Sequence, residues 1–255
     1  LGAVSQGILW GVMVLGVFIT YKLLDIADLT VDGSFALGGS VCAVLVVSGV
    51  DPVLAIFAAM LAGMIAGAVT GFLHTVFEIP AILAGILTQI ALWSVNLRIM
   101  GKSNTPLLRV DTLFSSVTDA TGLPQNVASI IVGLIFSILI IVALYWFFGT
   151  EIGSACRATG NNEAMVRALG VDTKVTKMIA LTLSNGLVGL SGGLICESQG
   201  YADIGMGTGA IVIGLAAIVI GEVLGRLTPG KLRSFGSRLT AAVVGSVVYF
   251  LIRAI

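Results

Sequence analysis

Residues 149–177, GTEIGSACRATGNNEAMVRALGVDTKVTK, form a polar segment in a chain that is otherwise strongly apolar. The segment holds seven charged side chains in 29 residues, whereas the whole chain holds 26 in 255. Apolar residues make up 57% of the chain, and the mean hydropathy is +1.10. A soluble domain carries about 25% charged residues, against 10% here, so most of this surface must face lipid. The composition predicts a membrane protein with one long charged loop.

A short helix is predicted inside this polar segment. Asn161 or Asn162 can cap its first turn by accepting a backbone N–H. Glu163 and Arg167 lie four residues apart in the order that favours an ion pair, and Gly170 can form a left-handed stop. Its small apolar face consists of Ala164, Met165, Ala168 and Leu169. About eight residues are too few for a stable helix in water, so the helix needs a surface to pack on, either its own membrane domain or another protein.

Eight apolar runs are long enough to cross a bilayer, which takes about 20 residues each. They lie near residues 5–24, 29–50, 52–77, 79–100, 127–148, 176–196, 206–225 and 236–255. The 33 glycines suit closely packed membrane helices. The predicted fold is therefore all-α, a polytopic transmembrane helical bundle with broken helices and an inverted repeat. Residues 1–255 are interpreted as a single transmembrane domain.

Basic residues indicate how this bundle is oriented, because lysine and arginine near span ends stay in the cytoplasm. If the polar segment is cytoplasmic, the loop at 221–238 is cytoplasmic too. Nine of the thirteen basic residues then lie inside, namely Lys22, Arg157, Arg167, Lys174, Lys177, Arg226, Lys231, Arg233 and Arg238. The four outside are Arg98, Lys102, Arg109 and Arg253. The opposite orientation reverses this ratio, so we predict a cytoplasmic polar segment.

Two stretches interrupt the apolar pattern at matching places, DIADLTVDGSFALGG at 25–39 and ESQGYADIGMGTGAIVIGLAA at 197–217. Each places an aspartate, Asp28 or Asp203, a few residues before a cluster of Gly, Ser or Thr. The span after the first stretch runs outward and the span after the second runs inward. Matching segments of opposite direction indicate an inverted repeat, whose interface often forms a transport pathway. Chance similarity between glycine-rich membrane segments is the alternative.

Polar side chains within or beside the spans are the candidates for a solute pathway. Asp28 and Asp32 either line that pathway or hydrate the end of a span, and Asp32 can also cap the next helix. Gln89, Trp93 and Asn96 share one face of the fourth span. This face is predicted to point inward, either for interhelical hydrogen bonding or for contact with a solute. The complete set of candidates is Asp28, Asp32, Ser34, Gln89, Trp93 and Asn96.

Several other kinds of chemistry have no support in the sequence. Gly101-Lys102-Ser103 ends like an ATP-binding loop, but the first glycine of that motif would fall at Asn96. His74 is the only histidine, and the three cysteines match no metal or disulfide spacing. The sequence has no stripe of basic residues of the kind that would indicate nucleic-acid binding. We therefore expect a chain that is not itself an enzyme and binds no metal, cofactor or nucleic acid.

The sequence resembles ABC importer permeases of the branched-chain amino acid and ribose type. The similar residues are RATGNNEAMVRALGV at 157–171 and KMIALTLSNGLVGLSGGL at 177–194, for the cytoplasmic loop and the helix after it. ADLTVDGSFALGG at 27–39 resembles their broken early span. The resemblance covers nearly the whole chain and is closest to a branch associated with uptake of aromatic amino acids or similar solutes. Glu163-Ala164-Met165 only approximates the Glu-Ala-Ala loop pattern of the wider importer group, which favours the ribose and branched-chain subgroup.

This resemblance implies a multi-pass permease subunit of the bacterial inner membrane that works as a dimer, most simply a homodimer. Two separate ATPase subunits would bind ATP and Mg²⁺ and dock on the cytoplasmic loops. An extracytoplasmic binding protein or lipoprotein would deliver a small, amino acid-like solute. The residues that the resemblance assigns to the coupling helix are Arg157, Ala158, Thr159, Gly160, Asn161, Glu163, Ala164, Arg167, Leu169 and Gly170.

Two features of the chain ends suggest that the sequence is trimmed. The first residue is Leu1 instead of Met, and Ile255 falls at the end of an apolar run. Permeases of this branch continue further, so a C-terminal span is expected to be absent. A secondary transporter or channel is the alternative function, with an inverted-repeat pathway and a loop helix that only packs on its own bundle. A membrane scaffold without transport is a third interpretation.

Overall fold

The computed structural model describes residues 1–108, 110–227 and 234–254, apart from the side chains of residues 120 and 227. These residues are mostly helical, which confirms the predicted all-α class. The helices are α1 Gly2–Phe18, α2 Thr30–Val47, α3 Pro52–Thr75, α4 Ala81–Met100, α5 Leu113–Thr121, α6 Gln125–Gly149, α7 Glu151–Asn161, α8 Glu163–Ala168, α9 Thr173–Gln199, α10 Ala210–Leu227 and α11 Phe235–Arg253. A π-helical turn at Ile19–Leu23 extends α1, and two short strands, β1 Asn104–Pro106 and β2 Tyr201–Asp203, pair with each other.

Seven helices in the described part of the chain are long and apolar enough to cross a membrane. Each coincides with one of the eight predicted crossings, and the remaining prediction, 206–225, coincides with α10. The seven spans are 18 to 27 residues long. At about 1.5 Å per residue they can cross a hydrocarbon core about 30 Å thick. The chain is therefore a multi-pass membrane protein.

The spanning helices run between two ends of the bundle. At one end, the first turns of α1 and α6 and the last turns of α9 and α11 surround a shared cavity. The strand pair, in which Thr105 lies opposite Ala202, follows α9 at this end. At the other end, α7 and α8 follow α6, and Lys174 at the start of α9 contacts Glu78 after α3, with 3.1 Å between Nζ and Oε1. The polar segment and the strand pair thus occupy opposite ends of the bundle.

The membrane orientation itself stays a prediction. Three of the basic residues used for it, Arg109, Lys231 and Arg233, lie outside the described residues.

The centre of the bundle is α9, which packs against α1, α2 and α3. Of an apolar 18-residue stretch in each span, 83% is buried inside the chain in α9, against 28% in α4 and in α11. Exposed side chains such as Ile65, Ile90 and Ile138 give α3, α4 and α6 an apolar outer face. In a membrane protein such faces contact lipid. Among the seven candidate spans of the described residues, α9 is therefore the most deeply buried.

Glycines allow α3 and α9 to pack backbone against backbone. A Cβ atom added to Gly189 would lie 2.6 Å from the carbonyl oxygen of Ala59, and one added to Gly63 would clash with the carbonyl oxygen of Asn185. Small residues at such contacts are the usual means by which membrane helices approach closely. The high glycine content of the chain is thus explained in part by this one interface.

Candidate functional site: the α7–α8 segment and its link to the core

The short helix α8 has the start and stop that the sequence predicts. Asn162 is the cap, and its Oδ1 accepts a hydrogen bond from the backbone N–H of Met165 at 3.0 Å. Gly170 lies just beyond the helix with φ of +86°, in the left-handed region. Arg167 donates from Nη2 to Glu163 Oε1 at 2.8 Å, so the predicted ion pair is present. These features are set by residues close in sequence, which is why pattern reasoning found them.

Glu163 connects α8 to the spanning helix α9. Its Oε2 accepts a hydrogen bond from Lys177 Nζ at 2.7 Å, and its Oε1 accepts one from Thr173 Oγ1 at 3.0 Å. The hydrogen bond from Lys177 lowers the pKa of the Glu163 carboxyl from its usual value, and it acts together with Thr173 and the charge of Arg167. Glu163 is therefore ionised at neutral pH. It accepts hydrogen bonds from Arg167 of α8 and from Thr173 and Lys177 of α9.

The two faces of α8 differ sharply in exposure. Val166 is 2% exposed and packs inward, whereas Met165 is 54% and Leu169 73% exposed. Ala164 and Ala168 are exposed as well. The predicted apolar face thus points away from the bundle. A helix of this size with apolar side chains in water is suited to contact with another protein.

Before α8 lies a second helix, α7, that the sequence analysis missed. Thr150 caps it, with Oγ1 accepting from the backbone N–H of Gly153 at 3.3 Å. It packs on the bundle through Gly160, where an added Cβ would clash with the carbonyl oxygen of Leu23. Thr159 Oγ1 lies 3.0 Å from Thr176 Oγ1 of α9. A threonine cap followed by an acidic first turn is the signal in the sequence that could have revealed this helix.

Two more side chains of α7 face the bundle. The thiol of Cys156 is buried and lies 3.5 Å from the carbonyl oxygen of Thr176, and burial raises its pKa to about 11. The guanidinium of Arg157 lies over the ring of Phe235, 5.4 Å from its centroid. Cys156 therefore stays a protonated, shielded thiol as long as α7 is docked.

The expectation of one coupling helix across 157–170 is wrong. The backbone of Asn162 is extended, with φ of −156° and ψ of 93°, because capping α8 requires a non-helical residue there. Arg157, Ala158, Thr159, Gly160 and Asn161 belong to α7, and Glu163, Ala164 and Arg167 belong to α8, with Leu169 and Gly170 ending it. Contact of any of them with an ATPase stays a prediction. Residues 173–177 of the predicted loop are the first turn of α9.

Halfway along α9, Asn185 ties that helix to the start of α2. Its Nδ2 donates to Asp28 Oδ2 at 2.7 Å, and its Oδ1 accepts from Ser34 Oγ at 2.7 Å. All three side chains are buried. Sequence reasoning selected Asp28 and Ser34 but not Asn185, because their pairing spans more than 150 residues. Only the asparagine's place inside an apolar span hinted at a buried hydrogen-bonding role.

Asp28 makes a second set of contacts with the turn before α2. Its Oδ1 accepts from the backbone N–H of Thr30 at 2.9 Å, and Thr30 Oγ1 lies 2.8 Å from Thr70 Oγ1 of α3. Asp28 is 2% exposed, so it does not hydrate a span end. Each of its oxygens has a protein donor, which makes it a buried structural acceptor joining the start of α2 to α9, and Thr30 extends the link to α3. Whether it also lines a pathway stays a prediction.

Asp32 joins the two stretches that interrupt the apolar pattern. Its Oδ2 accepts from the backbone N–H of Gly209 at 2.9 Å, and its Oδ1 accepts from that of Ile211 at 3.0 Å. It therefore caps the first turn of α10 from α2, and not its own helix as was considered from the sequence. A carboxylate at a helix N-terminus satisfies amides that have no partner within the helix.

The polar face predicted for α4 is only partly inward. Asn96 is buried and Gln89 half-buried, but Trp93 is 50% exposed. Trp93 can face outward because most of its indole surface is apolar. Asn96 Oδ1 has no hydrogen-bond partner among the described residues, so the interhelical bond expected there is not made at that atom.

Comparison with known proteins gives this geometry a family. The family described as branched-chain amino acid transport system / permease component matches residues 1–255. The chain belongs to this family. This confirms the predicted ABC permease relationship. Members of this family are permease components of transport systems. In a bacterium, a multi-pass permease resides in the inner membrane.

Individual relatives of this permease-family chain include transport proteins for different solutes. It is 38% identical over 191 residues to a tyrosine transport system permease protein of Clostridioides difficile, covering 75% of this chain and 62% of that protein. It is 35% identical to an uncharacterized protein of Rickettsia prowazekii, covering 74% and 64%. A ribose import permease protein of Escherichia coli is 30% identical, covering 64% and 50%. The chain thus spans less than two thirds of the length of these relatives. No solved structure matches it.

Proposed function

We propose that the chain is the membrane subunit of an ATP-driven importer for a small, amino acid-like solute. In this proposal a separate ATPase subunit binds ATP and Mg²⁺ and docks on α8. A second copy of the permease completes the pathway, and an extracytoplasmic binding protein delivers the solute. Family membership supports the transport role. The 38% identity to a tyrosine permease supports an amino acid-like solute over the sugar of the 30% identical ribose permease.

The observation that carries the ATPase contact is the two-sided character of α8. Its outer face exposes Met165 and Leu169 at the end of the bundle opposite the strand pair, and its inner side is held to α9 by Glu163. A docking helix that transmits force needs both properties, an exposed contact surface and a stiff link to the membrane spans. A loop helix that only packed on its own bundle would have no need of the exposed apolar pair.

A continuous set of contacts leads from this helix into the core. Movement of α8 would act through Glu163 on Lys177 and Thr173 at the start of α9. The same helix holds Asp28 and the start of α2 through Asn185. From α2, Asp32 holds the start of α10. In the proposed mechanism, closure of the ATPase shifts α9 together with the first interrupted stretch, and the second stretch rearranges against them.

The docking surface can be tested with Met165→Asp combined with Leu169→Asp in the full-length permease. Charges on an apolar contact should weaken co-purification with the cognate ATPase at least tenfold, since buried anchors dominate interface energy. Leu108→Asp is the matched control, because Leu108 is 77% exposed near the strand pair, at the opposite end. Maleimide labelling of Cys156 should stay slow in all variants, which verifies that α7 remains docked.

Glu163→Gln separates docking from coupling. We expect it to bind the ATPase but to lose most of the solute-dependent stimulation of ATP hydrolysis in proteoliposomes, because the bond to Lys177 loses its charge. The proposal would be contradicted if the permease took up solute without any ATPase and if the Met165→Asp/Leu169→Asp and Glu163→Gln variants transported as the wild type does. That result would favour a secondary transporter or channel, in which α8 only packs on its own bundle.

A further inference from the structure

We propose that a cleft beside the π-helical turn binds the phosphate headgroup of an anionic phospholipid from the cytoplasmic leaflet. Two adjoining cavities, of about 320 and 550 Å³, form this cleft between the π-helical turn, α7, α10 and α11. Lys22 and Arg238 line both cavities. The cleft is separate from the exposed face of α8, because no residue of α8 lines either cavity.

The described side chains of the cleft are mostly cationic, namely Lys22, Arg157, Arg226 and Arg238, against the single carboxylate of Glu222. Glu222 is bound to Lys22, with 2.7 Å between Oε1 and Nζ. Arg226 and Arg238 are exposed and have no acidic partner among the described residues. Arg157 has no acidic partner among the described residues either. The cleft therefore carries three uncompensated guanidinium groups, which are the side chains best matched to the oxygens of a phosphate group.

The inner wall of the smaller cavity is apolar. Phe18, Ile218, Ala241 and Ala242 line it below the charged rim. A free anion gains nothing from such a wall, and an acidic protein segment would have to place polar atoms against it. A phospholipid places a phosphate at the rim and the start of an acyl chain against the wall. Basic pockets between membrane helices on the cytoplasmic side have this chemistry.

Depth supports the same occupant. Lys22 lies one residue before the end of the first span, and Arg226 and Arg238 lie in the last turns of α10 and the first turns of α11. All three therefore lie where a span meets the headgroup layer. Long basic side chains at span ends reach into this layer.

The experiment is native mass spectrometry of the purified full-length protein in detergent. It is titrated separately with dioctanoyl phosphatidylglycerol, dioctanoyl phosphatidylcholine and inorganic phosphate. We expect phosphatidylglycerol adducts at concentrations where the other two give none. Arg226→Gln combined with Arg238→Gln should weaken phosphatidylglycerol binding about thirtyfold, because each basic residue near a membrane surface contributes about a fivefold factor.

The matched control is Arg98→Gln combined with Lys102→Gln, which removes two exposed cations near the opposite end of the bundle and should leave the adducts unchanged. Equal binding by the cleft variant and the wild type would overturn the proposal. Inorganic phosphate adducts as strong as those of phosphatidylglycerol would also overturn it, in favour of a simple anion site. If the cleft variant kept its lipid adducts but no longer co-purified with the ATPase subunit, the proposal would also be overturned, and the cleft would be a protein-docking surface instead.

Discussion

The two interrupted stretches, 25–39 and 197–217, share a local motif but differ in how they are held. In the first, Asp28 Oδ1 accepts from the backbone N–H two residues later at 2.9 Å. In the second, Asp203 Oδ1 does the same with Gly205 at 2.8 Å. Asp28 is also bound by Asn185 and is buried, whereas Asp203 is half-buried and is bound within its own loop. The same local turn is thus embedded in the core at one place and lies near the surface at the other.

This difference indicates that the two stretches have different mechanical roles. The first is joined to three spanning helices by side-chain hydrogen bonds. The second reaches the core through Asp32, which caps α10 from α2. A Cβ atom added to Gly207 would clash with the carbonyl oxygen of Asp32, so the second stretch packs directly on the first. We infer that the first stretch is the fixed element, against which the second can rearrange.

The largest expected effect is that of Asp28→Ala. It leaves the backbone N–H of Thr30 and one N–H of the Asn185 amide without an acceptor in a buried site, while the amide keeps its bond to the carbonyl oxygen of Leu181. This loss should cost about 3 kcal/mol. The apparent melting temperature in detergent, followed by size-exclusion chromatography after heating, should fall by about 6–10 °C. An unchanged melting temperature would show that Asp28 is not a structural acceptor.

Asp32→Ala should have an intermediate effect, because it removes a carboxylate cap from α10. We expect a loss of about 1–2 kcal/mol. Hydrogen exchange followed by mass spectrometry should speed up at the first turn of α10, around Gly209 and Ile211, and not at the first turn of α2. Faster exchange in both turns would mean that Asp32 supports α2 as much as α10, which would weaken the comparison.

Asp203→Ala should have the smallest effect, below about 1 kcal/mol, since its one local bond can be replaced by water. The melting temperature should stay within about 2 °C of the wild type. A loss as large as that of Asp28→Ala would contradict the difference between the two stretches. Thr208→Ala, in the same loop, is the control for nonspecific loop effects.

Sequence patterns predicted those parts of the molecule that depend on neighbouring residues. The spans follow from local hydropathy, and α8 follows from the cap at Asn162, the pair Glu163–Arg167 and the glycine at 170. Composition also gave the all-α class. The break between α7 and α8 was missed because capping was considered for one helix only, although Thr150 carries a second cap.

The long-range partners could not be predicted. Asn185 meets Asp28 across 157 positions of the chain, and the glycine contacts that bring α2, α3 and α9 together are a property of the packed bundle. For the same reason Trp93, which a helical wheel places on one side with Asn96, is exposed. The helical periodicity of a sequence indicates which residues share a face of the helix, but not which neighbouring helix covers that face.

The close contact of α3 with α9 has a consequence for motion. At Gly63 and Gly189 the two backbones touch without intervening side chains, and Asn185 of the same surface is held by hydrogen bonds. Sliding one helix along the other would drive carbonyl oxygens into Cα atoms, so the pair has a single register and behaves as one beam. Any opening of the bundle must then take place at the borders of this beam, where longer side chains can change rotamer, and not along its length.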